Sequence, residues 1–287
     1  MSYRDLASQG VFSPMSFLDR IVECNHHDPT LYIPVIIKGL RLGQVRKALL
    51  PVLAPFAGES KVRIDDQQTL DAAARTLIET GLTPLACGER YRGGPRFDET
   101  WLTVERAAVE CLGITAYGVH LTGFVQGPDG LHVWVPRRTA DRPTYPGELD
   151  STVAGGQPVG LGVLDNLVKE CAEEAGMPEA LARHATPCGT LRYRVDGEVG
   201  QRDDVIFCYE LDCGDFTPVN RDGEVENFAL WPVARAMECI AETRDFKFNS
   251  ALVLIDFFIR HGLIAADHPN YIEICDGLRG GRPDVRA

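Results

Sequence analysis

The segment running from residue 154 to residue 177 constrains this chain more than any other. Ala154-Gly155-Gly156-Gln157-Pro158-Val159-Gly160 is a glycine-rich turn, and Lys169-Glu170-Cys171-Ala172-Glu173-Glu174-Ala175-Gly176 follows it closely. At about 100° per residue, taking Glu170 as zero puts Glu173 near −60° and Glu174 near +40° on a helical wheel. Three carboxylates then share one arc. Leu164, Leu167, Val168, Cys171 and Ala175 fill the neighbouring arc, an apolar face that pins such a helix to a sheet and leaves the acidic edge at a cleft. Gly176 supplies a stop, and Pro178 opens the next element. An isolated Glu-Glu pair reads most simply as a solvated surface, because like charges on one arc repel. The glycine turn reverses that preference. Glycines let the backbone approach a ligand closely, and their carbonyls suit a hard cation, so Gly155 is a candidate metal ligand and Gly156 a candidate substrate contact. The turn matches neither the P-loop nor GxGxxG.

The rest of the chain supplies the frame. Its 287 residues suit two modest domains, and 45% hydrophobic with 24% charged residues is an ordinary globular balance. GVHLTGFV and LHVWVPRR are strand-like runs joined by Gly127-Pro128-Asp129-Gly130, a hairpin signal. STVAGG, Thr190–Val195, Val205–Leu211 and NFALWP are further strands, and helices are expected over 163–175, from Pro178, and over 233–243 and 250–261. Strands alternating with helices make an α/β (α+β) fold with a mixed sheet. Before residue 114 the texture differs. A strand runs into a turn at VIIKGLRLG, helical patterns cover 44–53, 69–80 and 99–112, and a Pro/Gly-rich loop covers 82–95. The division is therefore a smaller mixed α/β N-terminal domain over 1–113 and a second domain over 114–287. The N-terminal domain, without a catalytic motif of its own, is expected to wall the substrate pocket or to mediate a homodimer.

Charge and cysteines narrow the partners. A net charge of −12 disfavours nucleic acid, and no apolar run approaches the roughly 18 residues of a membrane span. Nine scattered cysteines, an odd number with no CxxC, argue against a disulfide framework or a thiolate zinc site. With no basic-then-apolar leader in MSYRDLASQGVFSP, the cytoplasm is the expected location.

GGQPVGLGVLDNLVKECAEEAGM resembles a variant Nudix box, whose core is Arg-Glu-apolar-x-Glu-Glu-x-Gly-apolar. Glu170, Glu173, Glu174 and Gly176 match it. Lys169 replaces the arginine, which keeps the charge and loses the planar fork. Leu161 stands where the family has an earlier glutamate, and the loop is about one residue short. These departures resemble a Nudix subgroup associated with thiamine pyrophosphokinase in plants and fungi, which carries an extra N-terminal domain. The likeness continues through WVPRR, YPGELD, DDVIFCYEL, DGEVENFALWPVA, FKFNSALVLIDFFIRHGLI and DHPNYIEICDGLR, over roughly 117–279.

What the resemblance implies is a Nudix α/β/α sandwich that hydrolyses a phosphoanhydride with Mg²⁺, Mn²⁺ being a possible substitute. Glu170 and Glu174, one turn apart, are the expected principal ligands, and Glu173 a further ligand or one acting through water. Lys169 would position an acid. Of Glu224 and Glu226, just before NFALWP, Glu226 is taken as the accessory ligand, while Arg137 and Arg138 are candidate forks for substrate phosphate. The implied substrate is a thiamine diphosphate-like molecule, especially a damaged one, cleaved to the monophosphate. ADP-ribose or another nucleoside diphosphate keeps the chemistry with a different organic group. An isopentenyl-diphosphate isomerase-like or purely ligand-binding protein is the reading from another class. The isomerase needs a pocket cysteine, with Cys188 and Cys208 as candidates. Asp203 and Asp204 rank lower. His26 and His27 point apart, and Trp134 and Trp231 read as core.

Overall fold

In a computed structural model, which describes residues 16–280 apart from 59, 84 and 85, the fold is mixed α/β. Helix α1 (Phe17–Cys24) is capped by Ser16, and a hairpin of β1 (Tyr32–Ile37) and β2 (Leu40–Arg46) follows. β3 (Val62–Ile64) lies parallel to β1, and α2 (Gln67–Glu79) starts at Asp66, whose carboxylate accepts the Thr69 amide at 2.7 Å. β4 (Arg90–Gly93) pairs with β5 (Leu102–Glu105), and the one-turn helix α3 (Val109–Leu112) closes this part. Its core is built from residues 33–114, among them Val35, Ile37, Val45, Leu53, Leu70, Leu77, Val104 and Leu112.

Three expectations for this part fail. The helix expected over 44–53 is the end of β2 followed by a 3-10 turn at Lys47–Leu49. Val45, Leu49 and Leu53 recur every four residues and are all buried, so a strand end and tight turns reproduce a helical spacing. The helix expected over 99–112 is β5, a 3-10 turn and α3. The stretch read as loop, 82–95, contains β4.

The second part is a six-stranded mixed sheet. β6 (Ala116–Gly127), β7 (Gly130–Arg138), β9 (Thr186–Asp196), β10 (Gln201–Asp212) and β11 (Val225–Pro232) run in the order β11-β7-β6-β10-β9, while β8 (Val153–Gly156) pairs with the first half of β6. β10 is parallel to β6, and the other neighbours are antiparallel. Side chains alternate between two faces with the period of two that a strand imposes. Val119, Leu121, Val153 and Leu211 pack with Leu167, Cys171 and Ala175 of α4 (Val163–Ala175), near the short α5 (Glu179–Ala182). Val133, Val135, Ile206 and Cys208 pack on the other face, under α6 (Val233–Glu242), α7 (Phe248–Arg260) and α8 (Tyr271–Gly277). The result is an α/β/α sandwich. Helix α1 contributes Ile21 and Cys24 to the α6–α8 core, although it precedes the N-terminal sheet in the chain.

The two parts meet in a polar seam. The Tyr32 hydroxyl donates to Asp196 at 2.7 Å, His27 Nδ1 lies 2.7 Å from the same carboxylate, Arg46 donates to the Gly197 carbonyl, and Arg202 pairs with Glu110 at 2.8 Å.

Candidate active site

Helix α4 spans the residues its sequence pattern predicts, and its apolar arc is the one that packs on the sheet. It ends at Gly176, at φ 61°, where the Met177 amide donates back to the Cys171 carbonyl at 3.0 Å. The acidic edge faces β8. Here the paired glycines find their reason. A Cβ on Gly155 would run into the Glu170 carboxylate, and one on Gly156 would overlap the hydroxyl of Tyr91, which arrives from β4. Close approach of side chains to the backbone, rather than an unusual torsion, demands these two glycines. The turn beyond them is held by Asn166, whose amide donates to the Gly156 carbonyl at 2.7 Å, and by Gln157, which donates to the Leu161 carbonyl at 2.8 Å.

The three glutamates are not equivalent. Glu174 is half-buried, with one carboxylate oxygen accepting the Ala154 amide at 2.9 Å. Burial pushes its pKa well above the usual carboxylate range; the Ala154 amide opposes this, and Asp150, Glu170 and Glu224 reinforce it. Glu170, with its side chain 15% exposed, is raised by burial as well, opposed by Lys169 and reinforced by Glu173 and Glu89. Glu173 is 51% exposed and pairs with Lys169 at 2.6 Å, while Lys169 also reaches Glu170 at 3.2 Å. Partial burial works against the Lys169 charge, but these two carboxylates more than offset it. Glu170 and Glu174 therefore face the glycine pair, while Glu173 and Lys169 stand on the outer rim.

Most of the other candidates are engaged with partners of their own. The buried Arg138 guanidinium is taken up by Asp150 at 3.0 Å and by the carbonyls of Tyr145 and Thr144. Arg137 donates to the Gly147 carbonyl at 2.6 Å and lines a cleft with Trp231 and Arg235 near α6. Glu226 is exposed, at a bulge where Val225 pairs with Arg138 and Asn227 with Arg137. Glu224, paired with Arg142, is the acid of that segment whose charge acts on Glu174. Asp203 is bound by Arg192 and Arg194, each at 3.1 Å, and Asp204 by Tyr193. Cys208 is buried in the α6–α8 core and Cys188 packs against it, on the sheet face opposite α4. Burial pushes these thiols up to about 12 and about 11.

Among the described residues, no three His, Cys, Asp or Glu side chains form a ready ligand set. The donors at the glycine pair nevertheless fit a hard cation. Two half-buried carboxylates one turn apart face other acids, and Lys169 on the rim is the ammonium that offsets Glu170. A divalent ion relieves that repulsion. Tyr91 and Glu89 went unnoticed in the sequence because they lie in a Pro/Gly-rich stretch. The Tyr91 ring is 7% exposed, and burial raises its phenol pKa.

Set beside known proteins, the chain is 33% identical over 299 residues to Nudix hydrolase 24, chloroplastic, of Arabidopsis thaliana, spanning 98% of this chain and 82% of that protein. It is 35% identical over 289 residues to Nudix hydrolase 20, chloroplastic, of the same plant, spanning 92% and 77%. Among solved structures, DR0079 from Deinococcus radiodurans superposes with a TM-score of 0.46 at 20% identity, over 58% of this chain and 98% of that one. No family model matches the chain.

Proposed function

The chain belongs to the Nudix hydrolase family, hydrolases of phosphorus-containing anhydrides, and from that premise we propose that Glu170 and Glu174 form its metal-dependent centre. The observation that carries this reading is the Glu174 carboxylate, set beside Glu170 with Asp150 and Glu224 as further acidic neighbours. A divalent cation offsets the mutual repulsion of carboxylates so placed. Glu170, Glu174 and Gly155 would hold Mg²⁺ or Mn²⁺, with Glu173 at the rim of the same site. Bound there, the ion polarises the phosphoanhydride and lowers the pKa of a coordinated water. The chain's own groups do the rest. The Ala154 amide orients one oxygen of Glu174, and Lys169 holds Glu170 and Glu173 in register across one helical turn. Arg137 and Arg138, engaged with carbonyls and Asp150, drop out of the proposed phosphate contacts.

For the organic group we propose a thiamine diphosphate-like molecule, above all a damaged form such as 2-oxothiamine diphosphate, cleaved to the monophosphate and phosphate. The support is the subgroup resemblance over roughly 117–279. Phosphate release from thiamine diphosphate, its damaged forms, ADP-ribose and ADP, with Mg²⁺ and with chelator, tests both parts. Loss of turnover in chelator and a higher kcat/KM for a damaged thiamine diphosphate are the expected results. A preference for ADP-ribose overturns the thiamine assignment. All nine thiols are unpaired, which suits a reducing compartment. The cytoplasm is the proposed one, although the two plant relatives are named as chloroplastic. No helix of the described residues is long and apolar enough to cross a membrane.

A further inference from the structure

The hairpin of β4 and β5 leans on the glycine turn. The Val159 amide donates to the Arg90 carbonyl at 2.9 Å, and Arg92 Nη1 donates to the Pro158 carbonyl at 2.8 Å. Just beyond β4 the chain lays Phe97 on the large sheet, its ring centroid 5.0 Å from Tyr117 and 4.9 Å from Phe207, edge-on to both. Tyr117 and Phe207 lie at 25° to one another, and their strand positions share the parity of Val119 and Leu211, so both project on the α4 side. The Tyr117 carbonyl accepts the Gln157 amide at 2.8 Å, which ties this cluster to the turn that carries Gly155 and Gly156. The Arg92 guanidinium lies over the Phe97 ring, 4.5 Å from its centroid.

Core packing does not account for this cluster. Phe97 and Tyr117 belong to none of the three hydrophobic cores, and Phe207 sits only at the margin of one. All three rings and Arg92 keep part of their surface in solvent. The charge is unusual too. Neighbouring Arg90 pairs with Asp71, and Arg96 with Asp98 and Glu99, whereas among the described residues no carboxylate forms an ion pair with Arg92. A half-open aromatic platform beside a diphosphate site offers stacking to a flat ring. An unneutralised guanidinium in its wall repels a ring that carries positive charge.

We propose that Phe97, Tyr117 and Phe207 form the subsite for the flat organic ring of the substrate, and that Arg92 makes this subsite select neutral rings over cationic ones. The inference rests on the diphosphate-hydrolase reading and adds the residues that discriminate among substrates.

The test uses full-length protein with Mg²⁺ and three diphosphates. Thiamine diphosphate carries a cationic thiazolium, its 2-oxo analogue has nearly the same outline with a neutral ring, and methyl diphosphate has no ring. Phe97→Ala should lower kcat/KM for the two ringed substrates at least about tenfold more than for methyl diphosphate. Phe97→Leu, which keeps apolar bulk without the π face, should move the same ratio in the same direction. Arg92→Gln should raise the cationic substrate relative to the neutral one about tenfold, and Arg92→Lys should retain the wild-type ranking. Because each readout is a ratio within one variant, partial unfolding cancels. Equal losses on ringed and ringless diphosphates overturn the platform, and an unchanged cationic-to-neutral ratio in Arg92→Gln overturns the charge filter. If ADP-ribose is the better substrate, the thiamine reading fails while the Phe97→Ala ratio, taken with ADP-ribose, still decides the platform. If nothing is hydrolysed, calorimetric Kd values for the same diphosphates decide it.

Discussion

Gly155→Ala separates a geometric role of the glycine pair from a merely permissive one. An added Cβ at residue 155 would stand 2.7 Å from Glu170 Oε1 and closer still to its Cδ and Cγ, whereas ordinary van der Waals contact begins at 3.4 Å. The obstacle is a side chain, from its Cγ to the carboxylate, and not backbone, so Glu170 has to swing away as a whole while the main chain need not move. The withdrawal is roughly 1 Å, a misplacement that costs about 100-fold in rate where a reacting centre must be held in register. That corresponds to about 2.7 kcal/mol of transition-state stabilisation. Stability should change by less than about 1 kcal/mol, because no packed core atom moves. Phosphate release at saturating Mg²⁺ gives kcat, and a thermal melt of the same preparation gives Tm. The expected result is a kcat down about 100-fold with Tm nearly unmoved. A kcat within about threefold of wild type would refute the reasoning, since Glu170 would then tolerate a displacement that a metal ligand cannot.

Glu170→Gln and Glu174→Gln should each lower kcat by two or more orders of magnitude in the phosphate-release assay, roughly the cost of losing one essential electrostatic group, while Glu226→Gln stays within about threefold. A larger loss at Glu226 than at Glu174 would move the centre away from α4. Lys169→Arg should keep most activity and Lys169→Ala lose about tenfold, because the contacts to Glu170 and Glu173 need a cation; equal damage from Arg would mean that the compact ammonium itself is required. Acid stability should report Asp150. Burial raises its pKa, but Lys247, His120, Ser250 and Arg138 outweigh burial and hold it at about 2. A depressed folded pKa contributes about 2 kcal/mol that is present above pH 4 or so and lost as the pH falls toward 2. Urea titrations should find Asp150→Asn weaker by about 3 kcal/mol at pH 7, with Arg138 left unpaired, and the gap smaller at pH 3; a gap that is independent of pH would rule out this ionisation as its source.

Helix α4, its acidic edge and the glycine pair were legible in the sequence because each is local. A helical period and a turn are set by residues within a few positions of one another, and α4 spans the residues its pattern predicts. The hairpin of β6 and β7 and the alternation of faces across the sheet are legible for the same reason. The fate of charged side chains was not. Arg138 looks like a phosphate fork in the sequence, and only the packing of Asp150, Thr144 and Tyr145 around it shows that its donors are spent. Glu226 falls in the bulge between Val225 and Asn227, which interrupts the period of two by one residue, so the alternation of the strand does not tell which way it faces. The largest omission was β4 itself. Arg90 to Gly93 make a strand by pairing with β5, and Tyr91 and Arg92 meet the glycine turn where the Val159 amide bonds to the Arg90 carbonyl. A strand this short takes its identity from partners distant in the chain, so the packing of β4 beside the glycine turn was decided by tertiary pairing and could not be read from its own Pro- and Gly-rich residues.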